Sequence, residues 1–239
     1  MSKIKSKDQL NMLLKICDPI GDGNYISKGG NAYIEALKII LSSRNTNDNP
    51  FNIDDILEQP LLKEFKFKGV NDFKYICKLK ANPMIINKDN LTKTNEKISP
   101  INFSNQNAKD IFYNSIGIVY ILTCQIDSKE YIIKIGSSRN TFSDRLDSYN
   151  CGTVTYRKSG SASTTNYRIL QSLVATRKEF NLYLLDFPDD TTSYKWYGIT
   201  SPVFPSSRCF AYEYILINQY MEQFNGQKPL GNVQTKLRR

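Results

Sequence analysis

Apolar positions along the 239-residue chain recur with two different periods, and the switches between them mark where elements should begin and end. Near the N-terminus Leu10, Leu13, Leu14 and Cys17 fall on one helical stripe. Tyr33, Ile34, Leu37, Ile40 and Leu41 fall on another, after the Gly29-Gly30 pair. Asn52 is placed to cap a short third helix through Ile56. The period then shortens to two. Phe65 and Phe67 alternate with Glu64, Lys66 and Lys68, while Phe73, Tyr75, Cys77 and Leu79 alternate with Lys74, Ile76, Lys78 and Lys80. With GVND (69–72) between them as a turn, this predicts a β-hairpin with one aromatic and one basic face.

Residues 81–110 are rich in Asn, Lys, Ser and Thr, lack a period, and predict a linker or long surface connection. Beyond them the pattern sharpens. GIVYILTCQ (117–125) and EYIIKIGSS (130–138) are β-branched apolar runs separated by IDSK, which predicts a hairpin. A short helix follows, capped by Asn140 or Thr141 and running to about Tyr149. Residues 151–166 predict a polar loop, 165–180 a helix, 181–187 a third strand and 210–224 a strong helix. The expected fold is α/β in the broad sense (α+β): a small, mainly antiparallel three-stranded sheet flanked by helices, preceded by a helical and β-hairpin N-terminal region. The expected division is 1–80 for that region, with a DNA-contact or dimer role, 81–110 for the linker, and 111–239 for a catalytic domain.

Composition narrows the chemistry. The chain has no histidine, which excludes imidazole bases, Ser-His-Asp and Cys-His nucleophiles and His-ligated zinc. A catalyst here must use Tyr, Lys, Arg and carboxylates. The formal net charge of +9 favours a polyanionic partner, and the excess is shared between both halves of the chain. Lys66, Lys68, Lys74, Lys78 and Lys80 on the predicted hairpin could track a DNA backbone, or simply keep a strand edge soluble. Ser159, Ser161 and Ser163 in the SGSAST stretch could reach base edges, or belong to a mobile loop. Five scattered cysteines without a CxxC pair predict reduced, mostly buried thiols. With no apolar run long enough for a membrane span and no secretory h-region, the expectation is a soluble, cytoplasmic protein.

One set of polar residues stands out against the apolar strands and helices. Tyr120 lies on the first strand of the 117–138 hairpin and Lys134 on the second, where a short turn can put both on one sheet face. Arg145 and Tyr149 are i and i+4 on the next helix, and Glu213 sits in the first turn of the late helix. Taken singly, Tyr120 is equally a core tyrosine, and Arg145 with Tyr149 an exposed helix face. Lys134, flanked by isoleucines, is harder to explain as ordinary strand composition.

As an ordered set, Ile118-Val119-Tyr120, Lys134-Ile135-Gly136, Arg145, Tyr149, Glu213 and Asn232 in PLGN resemble the signature of the GIY-YIG nuclease superfamily over about 111–236. The first motif is IVY with Gly117 one position early, and the second has lysine where most members have tyrosine. That lysine variant resembles the branch containing Type II restriction endonucleases. The resemblance implies a divalent-metal-dependent DNA endonuclease acting on double-stranded DNA. In it Tyr120 is general base or proton relay with Lys134 supplying positive charge beside it. Arg145 and Tyr149 hold the scissile phosphate, Glu213 carries one Mg²⁺ (or Mn²⁺) per active site, and Asn232 has a phosphate or structural role. Cutting both strands of a symmetric site with one active site per chain implies a homodimer or higher homo-oligomer. Two alternatives stay open: a phage-encoded, homing or repair nuclease of the same type acting as a monomer, and a non-catalytic DNA-binding protein on the same scaffold.

Overall fold

The computed structural model describes residues 1–42, 49–67, 69, 72–187, 191–205 and 208–233, the side chains of residues 191, 196, 204 and 205 excepted. In chain order the elements are β1 (Ser2–Lys3), α1 (Lys7–Leu14), β2 (Cys17–Gly21), β3 (Asn24–Ser27), α2 (Gly30–Leu41), α3 (Ile53–Leu57), β4 (Lys74–Asn82), β5 (Ile85–Asn87), β6 (Thr92–Lys93), β7 (Lys97–Ile101) and α4 (Gln106–Asn114). Then come β8 (Ile118–Ile126), β9 (Lys129–Ser138), α5 (Phe142–Asn150), α6 (Val154–Ser159), α7 (Thr164–Thr176), β10 (Phe180–Leu185), β11 (Thr191–Thr192), β12 (Lys195–Trp196), β13 (Ile199–Thr200), β14 (Phe204–Pro205) and α8 (Arg208–Gln223). The chain divides into two compact units, one of Met1–Glu58, Leu79–Ser99 and Asp147–Glu179, the other of Gln59–Lys78, Pro100–Leu146 and Phe180–Arg239.

The first unit carries a five-stranded sheet in the order β1-β6-β5-β3-β2. Its helices form as their apolar stripes require. Tyr33, Ile34, Leu37, Ile40 and Leu41 of α2 are all buried, and α2 packs with α6 and α7. Asn52 caps α3 through a reciprocal capping box with Asp55. The α1 stripe is shorter than its pattern, because Cys17 begins β2 instead of ending the helix. The polar stretch 151–166, expected as a loop, contains α6, which Thr153 caps by accepting from the Tyr156 amide and Gly160 ends with φ of 88°.

A second five-stranded sheet has the order β7-β4-β10-β8-β9. The fold is therefore α+β with two five-stranded sheets, and the single three-stranded sheet expected from sequence is overturned. Strands β8, β9 and β10 form the antiparallel trio that the pattern predicted, but β4 and β7 extend it, and β5 and β6 build into the other sheet. These additional strands lie partly in residues 81–110, the segment expected as a linker. Each short strand there buries few side chains, such as Ile86, Lys93 and Ile98, so no period betrays it.

The predicted 65–80 hairpin is also overturned. Residues 62–64 form a 3₁₀ turn and Phe65–Phe67 continue outside any strand, while β4 pairs elsewhere, between β7 and β10. Phe65 and Phe67 alternate because both rings enter the core of the second unit, where Phe65 meets Tyr220 edge-on at 5.4 Å. That core joins Val119, Ile121, Ile132 and Ile135 on one face of β8 and β9 to Cys209, Leu216 and Tyr220 of α8. The β8–β9 turn is Asp127-Ser128 with φ of 47° and 64°, the left-handed pair of a type I′ hairpin. Among the described residues no helix is long and apolar enough to cross a membrane.

Candidate functional site

Tyr120 on β8 is opposite Gly136 on β9, and its ring is fully buried. A Cβ at Gly136 would lie 2.8 Å from Cε2 of Tyr120 and closer still to its Cζ and hydroxyl oxygen, so the motif glycine is the space the tyrosine ring occupies. Phe142, the first residue of α5, meets the same ring edge-on at 5.1 Å. The start of α5 is fixed by a reciprocal cap: Asp144 N donates to Thr141 Oγ1 at 3.1 Å and Thr141 N to Asp144 Oδ2 at 3.3 Å. One residue further on, half-buried Arg145 donates from Nε to the Tyr120 hydroxyl at 3.1 Å. A strand tyrosine, a strand glycine and a helix arginine are thus brought together, with a cation fixed at the phenolic oxygen.

Lys134 pairs with Leu122, two residues along from the Tyr120–Gly136 pair, so it shares the Tyr120 face. The side chain is only 5% exposed. Its ammonium donates to the Gly231 carbonyl at 3.1 Å. Beside it, Asn232 Nδ2 donates to Ile135 O at 2.7 Å and Asn232 Oδ1 accepts from Ile135 N at 3.0 Å, and Gly231 N donates to Ile133 O. An amide side chain therefore continues the sheet along the edge of β9, satisfying backbone groups that would otherwise face outward. Asn232 and Lys134 together fasten the 229–232 turn to the strand.

Glu213 sits on α8, half-buried, and accepts a hydrogen bond from the Ser137 hydroxyl. Ser137 follows Gly136, and strand alternation sends its side chain to the opposite face, where α8 packs. Glu213 therefore approaches residues 136–137 from one side and Tyr120 with Arg145 from the other. Near the start of α8, the Arg139 guanidinium lies 5.1 Å over the Phe210 ring, and Tyr212 stacks on Phe187 at 4.8 Å. Neither Ser137 nor Arg139 carried any signal in the sequence beyond following the KIG motif.

The remaining sequence candidates scatter. Tyr149 is fully buried and falls, with the last turn of α5, in the first unit. Ser159 ends α6 and its hydroxyl donates to Tyr156 O, Ser161 lies within hydrogen-bond distance of it, and the Ser163 hydroxyl caps α7. Lys66 is exposed, with its backbone N–H and C=O both bound by the Gln223 amide. Lys74 pairs with Asp186 at 3.4 Å, Lys78 is half-buried, Lys80 is exposed, and Lys68 lies outside the described residues. Without the hairpin, Lys74, Lys78 and Lys80 still alternate along β4 and share one of its faces, while Lys66 lies outside any strand.

The trio of strands also holds a polar cluster that sequence reading missed. The Glu130 carboxylate accepts from Thr123, from Asn181 Nδ2 at 2.8 Å and from the Tyr183 hydroxyl at 2.9 Å. Burial and the neighbouring Glu130 charge push the Tyr183 phenol well above its ordinary range. Both oxygens of the Glu130 carboxylate accept within this cluster, which makes it a strut across β8, β9 and β10. No group of three or more Asp, Glu or Cys among the described residues is arranged to hold a metal ion.

No curated protein matches this chain. Among solved structures, "Restriction endonuclease HPY188I in complex with product DNA" is similar, with 30% sequence identity over 78% of this chain and 93% of that chain and a TM-score of 0.48. Residues 117–182 match the T5orf172 domain family. That match takes in Tyr120, Lys134, Arg145 and Tyr149 and ends before Glu213 and Asn232, so the chain carries, from the start of β8 into β10, a segment similar to the T5orf172 domain.

Proposed function

We propose that this chain is a divalent-metal-dependent endonuclease of the GIY-YIG type that hydrolyses double-stranded DNA, acting as a site-specific, Type II-like restriction enzyme and as a homodimer. The observation that carries the reading is the Arg145 Nε bond to the Tyr120 hydroxyl across Gly136, a constellation from three elements that composition alone would not assemble. The match of residues 117–182 to the T5orf172 domain spans the same elements.

In this reading the Tyr120 hydroxyl takes or relays the proton of the attacking water. Arg145 stabilises the charge that collects on the phosphoryl oxygens as the new P–O bond forms and the bond to the 3′ oxygen breaks. Preorganisation comes from packing: the ring is held by Gly136 and Phe142, so the hydroxyl does not have to be ordered during the reaction. Lys134 supports the site by anchoring Gly231. One half-buried carboxylate beside a serine hydroxyl fits a largely hydrated Mg²⁺, which takes its other oxygens from water and phosphate, and does not fit an ion caged by protein ligands. A divalent ion on Glu213 would supply positive charge for the departing 3′ oxygen.

The approach of Glu213 from the other strand face favours one second reading, a DNA-binding protein that does not cut. Supercoiled plasmid and phage genomic DNA incubated with Mg²⁺ or with EDTA separate the two. Discrete Mg²⁺-dependent fragments from the wild type, lost in Glu213→Ala and in Tyr120→Phe, support the nuclease. Retained DNA binding with no cutting by any form establishes the binder.

A further inference from the structure

The link between β9 and α5 begins with Arg139, a residue held at both its backbone and its head group. Its carbonyl accepts from the Gly117 amide at 3.0 Å, just beyond the Ile118–Ser138 pair that ends the β8–β9 ladder. Its guanidinium lies 5.1 Å over the Phe210 ring. The residue is nevertheless exposed.

Its neighbours give that placement a consequence. Arg139 stands two residues after Ser137, so strand alternation carries it to the face on which Ser137 meets Glu213. Phe210 and Glu213 are i and i+3 on α8, neighbours on its surface at about 5–6 Å between Cβ atoms. An arginine so near a carboxylate would ordinarily pair with it. Here Glu213 is held by the Ser137 hydroxyl, and among the described residues Arg139 makes no ion pair. Pairing would neutralise both groups. Kept apart, the carboxylate stays open to a cation and the guanidinium to an anion.

We propose that Arg139 binds a backbone phosphate of DNA adjoining the one that reacts, with Phe210 holding the guanidinium in place. This rests on the nuclease reading and adds to it a phosphate contact on the Glu213 face, across β9 from Arg145. A guanidinium stacks on an aromatic ring and still presents a planar fork of N–H donors that matches two phosphate oxygens. DNA carries a charge at every nucleotide, so a duplex whose reacting phosphate is met by Arg145 still brings neighbouring phosphates to the site. A contact with one of these positions the strand and strengthens binding equally before and during the reaction. Arg139 is then a binding residue, and Phe210 a positioning residue that acts through it.

The test uses the full-length chain with plasmid DNA as probe. Filter binding in EDTA over a range of salt, cleavage in Mg²⁺ over a range of DNA concentration, and melting temperature compare the wild type with Arg139→Ala, Arg139→Lys and Phe210→Leu. Arg139→Ala should lower affinity roughly 10- to 100-fold and reduce the slope of log affinity against log salt by about 1, with a melting temperature near that of the wild type. The DNA concentration for half-maximal cleavage should rise by a similar factor, with a much smaller fall in maximal rate. Arg139→Lys should restore the salt slope and only part of the affinity, because lysine keeps the charge and loses the fork. Phe210→Leu should weaken binding less than Arg139→Ala and keep the slope. If Arg139→Ala binds with wild-type affinity and slope, the phosphate contact is overturned and the nuclease reading survives. A lower melting temperature with an unchanged slope overturns it in favour of a residue that only fastens the start of α8. A maximal rate that falls as far as the affinity overturns the assignment to a neighbouring phosphate. A wild type that neither binds nor cuts DNA removes both readings.

Discussion

Replacing Gly136 with alanine asks whether the glycine of the second motif is there for the tyrosine of the first. The added methyl would sit 2.8 Å from Cε2 of Tyr120 and nearer to Cζ and the hydroxyl oxygen, against the roughly 3.5–4.0 Å at which carbon atoms rest in contact. The ring has nowhere to retreat, because it is fully buried and backed by Phe142 at 5.1 Å. Either β9 parts from β8 at this pair or the ring swings out and breaks the Arg145 bond. Overpacking of this order costs about 1–3 kcal/mol, or a fall in melting temperature of roughly 2–12 °C for a domain of this size. A displacement near 1 Å at the phenol can cost about 100-fold in rate. Circular dichroism melting and plasmid cleavage per folded molecule measure the two effects. Adding Tyr120→Leu to Gly136→Ala restores room, so the pair should melt above the single mutant while remaining inactive. A Gly136→Ala protein that melts with the wild type and cuts at the same rate would refute the packing account.

Three further outcomes follow from the same kind of reasoning. Asn232→Ala removes two hydrogen bonds from the β9 edge, at about 0.5–1.5 kcal/mol each, so the protein should lose about 1–3 kcal/mol and the Ile135 amide should exchange faster. Burial pushes the thiols of Cys17 and Cys77 up to about 12. A thiol reagent at mild pH should therefore modify exposed Cys151 alone among the five. Because the folded thiols keep their protons where unfolded ones lose them, stability should decline from about pH 9 to about pH 12. Burial likewise raises the Glu96 carboxyl, and among the described residues its Oε1 has no hydrogen-bond partner. A raised carboxyl loses its contribution as pH rises through the folded value, so the melting temperature of Glu96→Gln should gain on the wild type from acid to neutral pH.

What could be read in advance depended on how many buried positions each element supplies. Five buried residues on α2 and a continuous buried run through β8 and β9 leave a period that one sequence can show. Strands β5, β6 and β7 each bury a single residue, including a lysine, and look like linker. Asparagine and glutamine side chains hide structure in another way. Asn232 on Ile135, Asn150 on Ile98 and Gln223 on Lys66 each pair an amide with both backbone groups of one residue far away in sequence. Composition registers such residues only as polar. Lys134 was conspicuous among isoleucines, but the carbonyl it serves belongs to Gly231, 97 residues on.

The site itself divides for a reason that strand geometry supplies. Gly136 and Ser137 are adjacent, so whatever they serve lies on opposite faces of β9: the Tyr120 phenol with Arg145 on one, the Glu213 carboxylate on the other. A sequence reading gathers these residues into one cluster because it has no faces. In-line displacement at phosphorus sets the attacking and leaving oxygens on opposite sides of the reacting atom. In the nuclease reading, a phosphate at the end of β9 would meet the Tyr120 phenol from one side and the Glu213 carboxylate from the other. Ser137 then becomes informative. If its hydroxyl aims Glu213 at that position, Ser137→Ala should raise the Mg²⁺ concentration needed for half-maximal cleavage with little loss of melting temperature, and Ser137→Thr should reverse most of that shift. Equal Mg²⁺ titrations for the wild type and Ser137→Ala would show that the carboxylate needs no aiming and that the two-sided arrangement is incidental.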